Sequence, residues 1–237
     1  MSLLELKGVS KRYRRGSRRV EVLREVSLEI EPGELVAIWG LRRSGRSTLL
    51  AVTAGVDGPD EGQVLFGGAD LNAKGARGLG DGIGYCHQAG STSGRKVIDN
   101  VKAGLLARAI PVPAAYERAH RALERAGAGG CSDLVLGDLD PAEAVRVSIA
   151  CALVLDPRLL VIDEPTKGVG LLERDELVLL LRSLTTEGIA VLVSDAEGSG
   201  LSDADRTLTL ASGTLRGRTT PRAGGTLVPL SRKSTAA

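Results

Sequence analysis

The chain has 237 residues, of which 43% are hydrophobic and 25% charged, with a net charge of only +2. That length suits one sizeable domain with an insert, and that balance excludes the global basic field of a nucleic-acid binder. No apolar run approaches the roughly 20 residues that span a bilayer, and the start Met1-Ser2-Leu3-Leu4-Glu5 lacks a secretory pattern, so the chain is not expected to enter a membrane alone. The three cysteines, Cys86, Cys131 and Cys151, are far apart and lack metal-ligand spacing, which points to small core residues in a reducing compartment.

Residues Leu3 to Ile30 alternate as antiparallel strands do, and Glu31-Pro32-Gly33-Glu34 is the turn before a buried strand, Leu35-Val36-Ala37-Ile38-Trp39. A loop and a helix from Ser47 follow, then a strand and turn over Gly62 to Gly68. Ile83-Gly84-Tyr85-Cys86 predicts a short strand ending at His87-Gln88, with a mobile loop over Ala89 to Gly94. Helical patterns cover Val97 to Ala109 and Ala114 to Ala126, separated by Pro111-Val112-Pro113, and a third runs from Pro141 to about Leu155. Leu159 to Ile162 is a second fully buried strand, Leu171 to Leu184 a helix, and Ile189 to Val193 a third strand. Strands near Arg206 to Ala211 and Thr214 to Arg216 close the fold, ahead of a loose tail from Gly217. Alternating strands and helices predict an α/β fold with a mostly parallel sheet, whose ligands sit at the carboxyl ends of the strands.

Gly40-Leu41-Arg42-Arg43-Ser44-Gly45-Arg46-Ser47-Thr48 has the glycine spacing of a phosphate-binding loop, with Arg46 where such a loop has lysine. Backbone N–H groups and the helix N-terminus favour phosphate there, and the Ser47 hydroxyl suits Mg²⁺. Arginine keeps the charge of lysine but brings a wider planar fork, so binding survives more readily than transfer geometry. Asp163-Glu164, at the end of a buried strand, adds a carboxylate for the Mg²⁺ shell and one to polarise an attacking water.

With these two elements the chain resembles the nucleotide-binding subunits of ATP-binding cassette (ABC) transporters, most like the lipoprotein-release and macrolide-export type, over roughly Leu3 to Arg216. The resemblance also rests on Val9-Ser10-Lys11-Arg12-Tyr13, on Leu23 to Leu28 before Pro32-Gly33-Glu34, on Ile83 to Gln88, and on Arg146 to Leu153 followed by Asp156 to Leu160. It implies a P-loop NTPase of ABC type: a β subdomain and nucleotide core (residues 1–87 and 156–216), a helical subdomain (89–155) and a flexible tail (217–237). It further implies ATP and Mg²⁺ as cofactors, held by Gly40, Ser44, Gly45, Arg46, Ser47, Thr48 and Asp163. Tyr13 is implied to stack on adenine, Gln88 to touch Mg²⁺ and water, and Glu164 to be catalytic. The partners implied are a membrane permease and a second ABC subunit, on the cytoplasmic face of the membrane.

The pattern breaks at four positions. Arg46 replaces the lysine; Leu139-Asp140-Pro141-Ala142-Glu143 stands where the family has Leu-Ser-Gly-Gly-Gln; Gly170 replaces an aspartate; and no histidine follows His120. In a head-to-tail dimer neither composite site is then whole, and weak or absent hydrolysis is expected. The competing reading is a non-catalytic regulator or scaffold on the same fold. A soluble kinase is disfavoured by the Gln88 loop and the helical insert.

Overall fold

The computed structural model describes residues 2–73, 82–87, 94–196, 201 and 203–218, and of Arg15 and Arg218 the backbone alone. Gln88, the segment 89–93 and the tail beyond 218 lie outside the described residues.

Strands β1 (Leu4–Arg15) and β2 (Arg18–Ile30) form a long hairpin, followed by β3 (Leu35–Trp39) and helix α1 (Arg46–Thr53). After β4 (Glu61–Phe66), β5 (Ala69–Asp70) and β6 (Ile83–Cys86) come helices α2 (Val97–Leu106), α3 (Val112–Arg125) and α4 (Pro141–Leu153). The chain closes with β7 (Leu159–Ile162), α5 (Leu171–Thr186), β8 (Ala190–Asp195), β9 (Arg206–Ala211) and β10 (Thr214–Arg218). The strands form two sheets, an antiparallel one in the order β2-β1-β4-β5 and a six-stranded one in the order β10-β9-β3-β8-β7-β6. In the larger sheet only β10 runs antiparallel to its neighbour, so the expected mostly parallel sheet with an antiparallel companion is what forms.

The apolar strands explain the layering. Every residue of β7 and β8 is buried, because successive side chains enter different cores on opposite faces. Leu35, Leu160, Ile162, Val191 and Val193 join one core with α2, α3, α4 and α5. Val36, Ile38, Leu159, Val161 and Leu192 join the other with α1 and the antiparallel sheet. Close approach of β4 to β1 requires Gly62: it sits at φ +85, and a Cβ there would meet the Gly8 and Lys7 carbonyl oxygens at 2.5 Å.

Helix α3 begins at Val112, earlier than Pro113 suggested, since proline in a first turn lacks only an N–H that has no intrahelical partner anyway. Helix α4 opens on a reciprocal cap. Asp140 Oδ1 accepts from the Glu143 N–H at 2.8 Å, and Glu143 Oε2 accepts from the Asp140 N–H at 3.0 Å. None of the helices among the described residues is long and apolar enough to cross a membrane.

A cavity of about 720 Å³ opens between α4 and the ends of β6 and β7, with Cys86, Asn100, Ser148 and Cys151 in its walls. Burial pushes the Cys86 thiol up to about 12 and the Cys151 thiol to about 11. Cys86 Sγ donates to the Ser148 carbonyl, and Asn100 Nδ2 donates to Cys151 Sγ, each at 3.3 Å. Since the thiolate is the nucleophile, iodoacetamide at about pH 8 is expected to label both at least about a hundredfold more slowly than a free cysteine. Rapid labelling in a mass-spectrometric time course would show instead that the cavity wall opens to solvent.

Candidate nucleotide site

The register of the parallel strands decides which side chains meet at the carboxyl edge. Trp39 pairs with Asp195 across β3 and β8, and Ile162 pairs with Val193 across β7 and β8. One step further, Asp163 is level with Ser194. The fully buried Ser194 hydroxyl donates to Asp163 Oδ1 at 2.6 Å and accepts from the Glu164 N–H at 2.9 Å. Glu164 itself is left-handed, at φ 48, a strained backbone for a residue with a side chain. Ser194 and Asp195 carried no role in the sequence reading. The available signal was a hydroxyl and a carboxylate interrupting an apolar strand at its carboxyl end.

After β3, the loop turns at Gly45, at φ 106, into α1. A Cβ at Gly45 would sit 2.9 Å from the Val22 carbonyl oxygen, so β2 presses on the loop from behind. The first intrahelical bond is Leu49 N–H to the Gly45 carbonyl, and no side chain caps the helix. The N–H groups of Gly45, Arg46, Ser47 and Thr48 therefore lack intrahelical acceptors. Ser44 Oγ and Trp39 Nε1 are buried with no hydrogen-bond partner among the described residues. The loop N–H groups and the Ser44 hydroxyl fit a phosphate group, and the oxygens of exposed Ser47 and of Asp163 are the hard donors a Mg²⁺ ion takes.

Arg46 lies across this mouth, 5% exposed. Nη1 donates to the Gly40 carbonyl at 2.6 Å and to the Asp195 carbonyl, and Nη2 donates to Glu164 Oε1 at 2.5 Å. Lys167 Nζ stands 3.4 Å from the other oxygen, Glu164 Oε2. The residue in the lysine position thus holds the candidate catalytic carboxylate. Arg42 and Arg43 are exposed on the outer side of the loop.

Arg43 sits at φ 66, a conformation that costs a side-chain-bearing residue roughly 1–2 kcal/mol. Arg43→Gly is expected to stabilise the chain by about 1 kcal/mol and raise Tm by about 2–4 °C. A melting curve with no rise would mean that the free loop does not hold this backbone.

Tyr13 stands beside Thr48 at the edge of the loop, half-exposed, and donates from Oη to Asp57 Oδ2 at 2.6 Å. Desolvation, then that bond, pushes its phenol up. Desolvation also opposes ionisation of Asp57, yet hydrogen bonds from Lys11 and Tyr13 outweigh it and hold the carboxyl below its usual range. The phenol oxygen is thereby anchored, and Lys11 Nζ stands over the ring, 5.3 Å from its centroid. The structure therefore brings Tyr13, Gly40, Ser44, Gly45, Arg46, Ser47, Thr48, Asp163 and Glu164 to one strand-end edge, and Gln88 is outside the described residues.

A family model described as "ABC transporter" matches residues 23–167. The lipoprotein-releasing system ATP-binding protein LolD of Pseudomonas syringae is 36% identical over 220 residues, covering 90% of this chain and 97% of that protein. LolD of Myxococcus xanthus is 35% identical over 219 residues, covering 90% and 98%. A macrolide export ATP-binding/permease protein, MacB 1/2 of Paracoccus denitrificans, is 32% identical over 216 residues, which are 89% of this chain but 32% of that protein. Among solved structures, a dimeric ATP-binding cassette in a post-hydrolysis state, bound to ADP and Pi, superposes with a TM-score of 0.82 at 26% identity, covering 91% of this chain and 98% of that one. The fold, the strand-end loop and the acidic strand agree with these matches, and the chain belongs to the ABC transporter family as an ATP-binding cassette.

Proposed function

We propose that the chain is the ATP-binding subunit of a permease complex of the lipoprotein-release or macrolide-export kind, one that binds Mg-ATP while its own Arg46 holds hydrolysis off. In this reading residues 1–216 are a single cassette on the cytoplasmic face of the membrane, paired with a second cassette. When bound, ATP supplies the terminal phosphoryl group and Mg²⁺ offsets its charge. The loop N–H groups and Ser44 cradle phosphate, Ser47 and Asp163 offer oxygens to the metal, and Tyr13 presents its ring to the base.

The observation that carries the reading is the 2.5 Å contact between Arg46 Nη2 and Glu164 Oε1. A carboxylate already held by a guanidinium is a poor acceptor for a proton from water. Opening a buried pair costs 3–5 kcal/mol, and with Glu164 partly exposed about 3 kcal/mol is appropriate, roughly a hundredfold in rate. The acidic start of α4 supports the same reading, since Asp140 and Glu143 offer carboxylates where the family offers donors to phosphate.

Equilibrium dialysis with Mg-ATP, alongside phosphate release, tests this. Retention of nucleotide with no release above a Glu164→Gln control is the expected result. Release that falls in Glu164→Gln would show a working hydrolase. Absence of retention would favour the scaffold reading, which draws on the same contact: a guanidinium satisfied by three protein acceptors leaves little for phosphate.

A further inference from the structure

The first hairpin carries a cluster of arginines that the nucleotide site does not use. Strand β4 parts from β1 after Ser10 pairs with Glu61, and β2 is the edge strand of its sheet, so from Tyr13 to Val20 the hairpin runs on as a two-stranded ribbon. Gly16, at φ 62, and Ser17 make its turn. Arg14 stands opposite Arg19, and Arg15 opposite Arg18. Arg14, Arg18 and Arg19 are exposed and meet no acidic partner among the described residues.

Behind the tip the charge changes sign. Arg12 is already taken, by Glu21 Oε1 at 3.2 Å and Glu61 Oε1 at 2.7 Å, and Arg24 is paired with Glu21 Oε2 at 3.1 Å. Exposed Asp60 accepts from the Arg12 N–H at 2.6 Å. These acids neutralise the base of the ribbon and leave its end cationic. Like charges directly opposite each other on a ladder repel, so an external anion at the tip relieves a cost that the hairpin itself does not offset.

The shape of the ribbon selects among anions. Paired residues share a face and successive rungs alternate, so Arg14 and Arg19 lie on one face, and Arg18 lies on the other with Val20, 43% exposed. A flat acidic protein surface meets only one of these faces. A long polyanion such as nucleic acid, laid along the ribbon, runs from the arginines onto Glu21, Asp60 and Glu61. Lipid headgroups touch the tip alone, close around both faces, and admit a small apolar side chain beside the phosphates.

We propose that Arg14, Arg18 and Arg19 at the tip of the hairpin dock on the headgroups of anionic phospholipids. This goes beyond the reading above and depends on neither nucleotide nor permease. Each arginine near an anionic surface is worth about fivefold in partitioning, and the tip together on the order of a hundredfold. Docking of that strength is reversible and weakens as salt shortens the Debye length.

Flotation of the full chain with phosphatidylcholine vesicles, with or without about one-third phosphatidylserine, tests the docking. At about 50 mM salt, binding to the anionic vesicles is expected to exceed that to neutral ones at least about tenfold, and to be lost at about 500 mM. R14E/R19E is expected to fall to the level of neutral vesicles. It keeps a like pair in the same rung, so the repulsion within the hairpin is unchanged, and a cooperative thermal transition confirms its fold. R42E/R43E changes the net charge equally at the phosphate loop and is expected to bind as the parent does.

Vesicle binding that is absent, that ignores lipid charge, or that falls equally in the two variants would overturn the proposal. Binding of a fluorescent DNA duplex in place of vesicles, lost in R14E/R19E, would overturn it too and assign the tip to nucleic acid.

Discussion

Arg46→Lys is expected to raise phosphate release from background by one to two orders of magnitude, and Arg46→Lys with Glu164→Gln to return it to background. The guanidinium spans two backbone carbonyls and a carboxylate at once because its donors are spread over a plane. An ammonium is a compact charge that cannot hold the same three acceptors, so Glu164 loses its strongest partner and the ammonium is left to face phosphate. The gain is bounded by the roughly 3 kcal/mol assigned to opening the pair. The altered α4 start and the missing histidine still subtract on the order of 10²–10³ each, so the variant remains a slow enzyme. A rate unchanged by Arg46→Lys would show that the contact with Glu164 is not what limits hydrolysis.

Ser194→Ala is expected to cost about 3 kcal/mol and lower Tm by roughly 6–12 °C. Its hydroxyl is fully buried and serves two neighbours, giving a hydrogen to Asp163 Oδ1 and taking one from the Glu164 N–H. Alanine leaves a part-buried N–H without that acceptor and a buried carboxylate short of a donor, and their desolvation goes largely uncompensated. The strained turn at Glu164 loses one of the contacts that hold it. Weaker Mg²⁺ dependence of nucleotide retention is expected as well, because Asp163 is no longer oriented. Differential scanning calorimetry showing a Tm within about 2 °C of the parent would rule out this account.

The sheet was legible in the sequence because Leu35 to Trp39, Leu159 to Ile162 and Ile189 to Val193 are apolar throughout, as strands covered on both faces must be. Loop and acid strand were legible for a local reason, since glycine spacing and a carboxylate after an apolar run are written in consecutive residues. What Arg46 touches was not legible. Its partner Glu164 is 118 positions away, and only the parallel register of β3, β8 and β7 brings them together. Ser194 escaped notice for the same reason, since its value lies in being level with Asp163 on the next strand. The positive φ of Arg43 was equally hidden, because nothing in a run of arginines announces a left-handed backbone. The helical layer was recovered except where α2 stops at Leu106, short of the expected Ala109, and where Pro113 falls inside a first turn.

Strand β3 ends in a chromophore. The chain contains a single tryptophan, at the last residue of that strand, with its indole N–H unpaired among the described residues and Gly40 immediately after it. Indole emission shifts with local polarity and with any hydrogen bond its N–H gains. Fluorescence from the native chain therefore reports on the end of β3 where the phosphate loop begins, and a change of polarity there is visible as a change in colour and intensity with no dye attached.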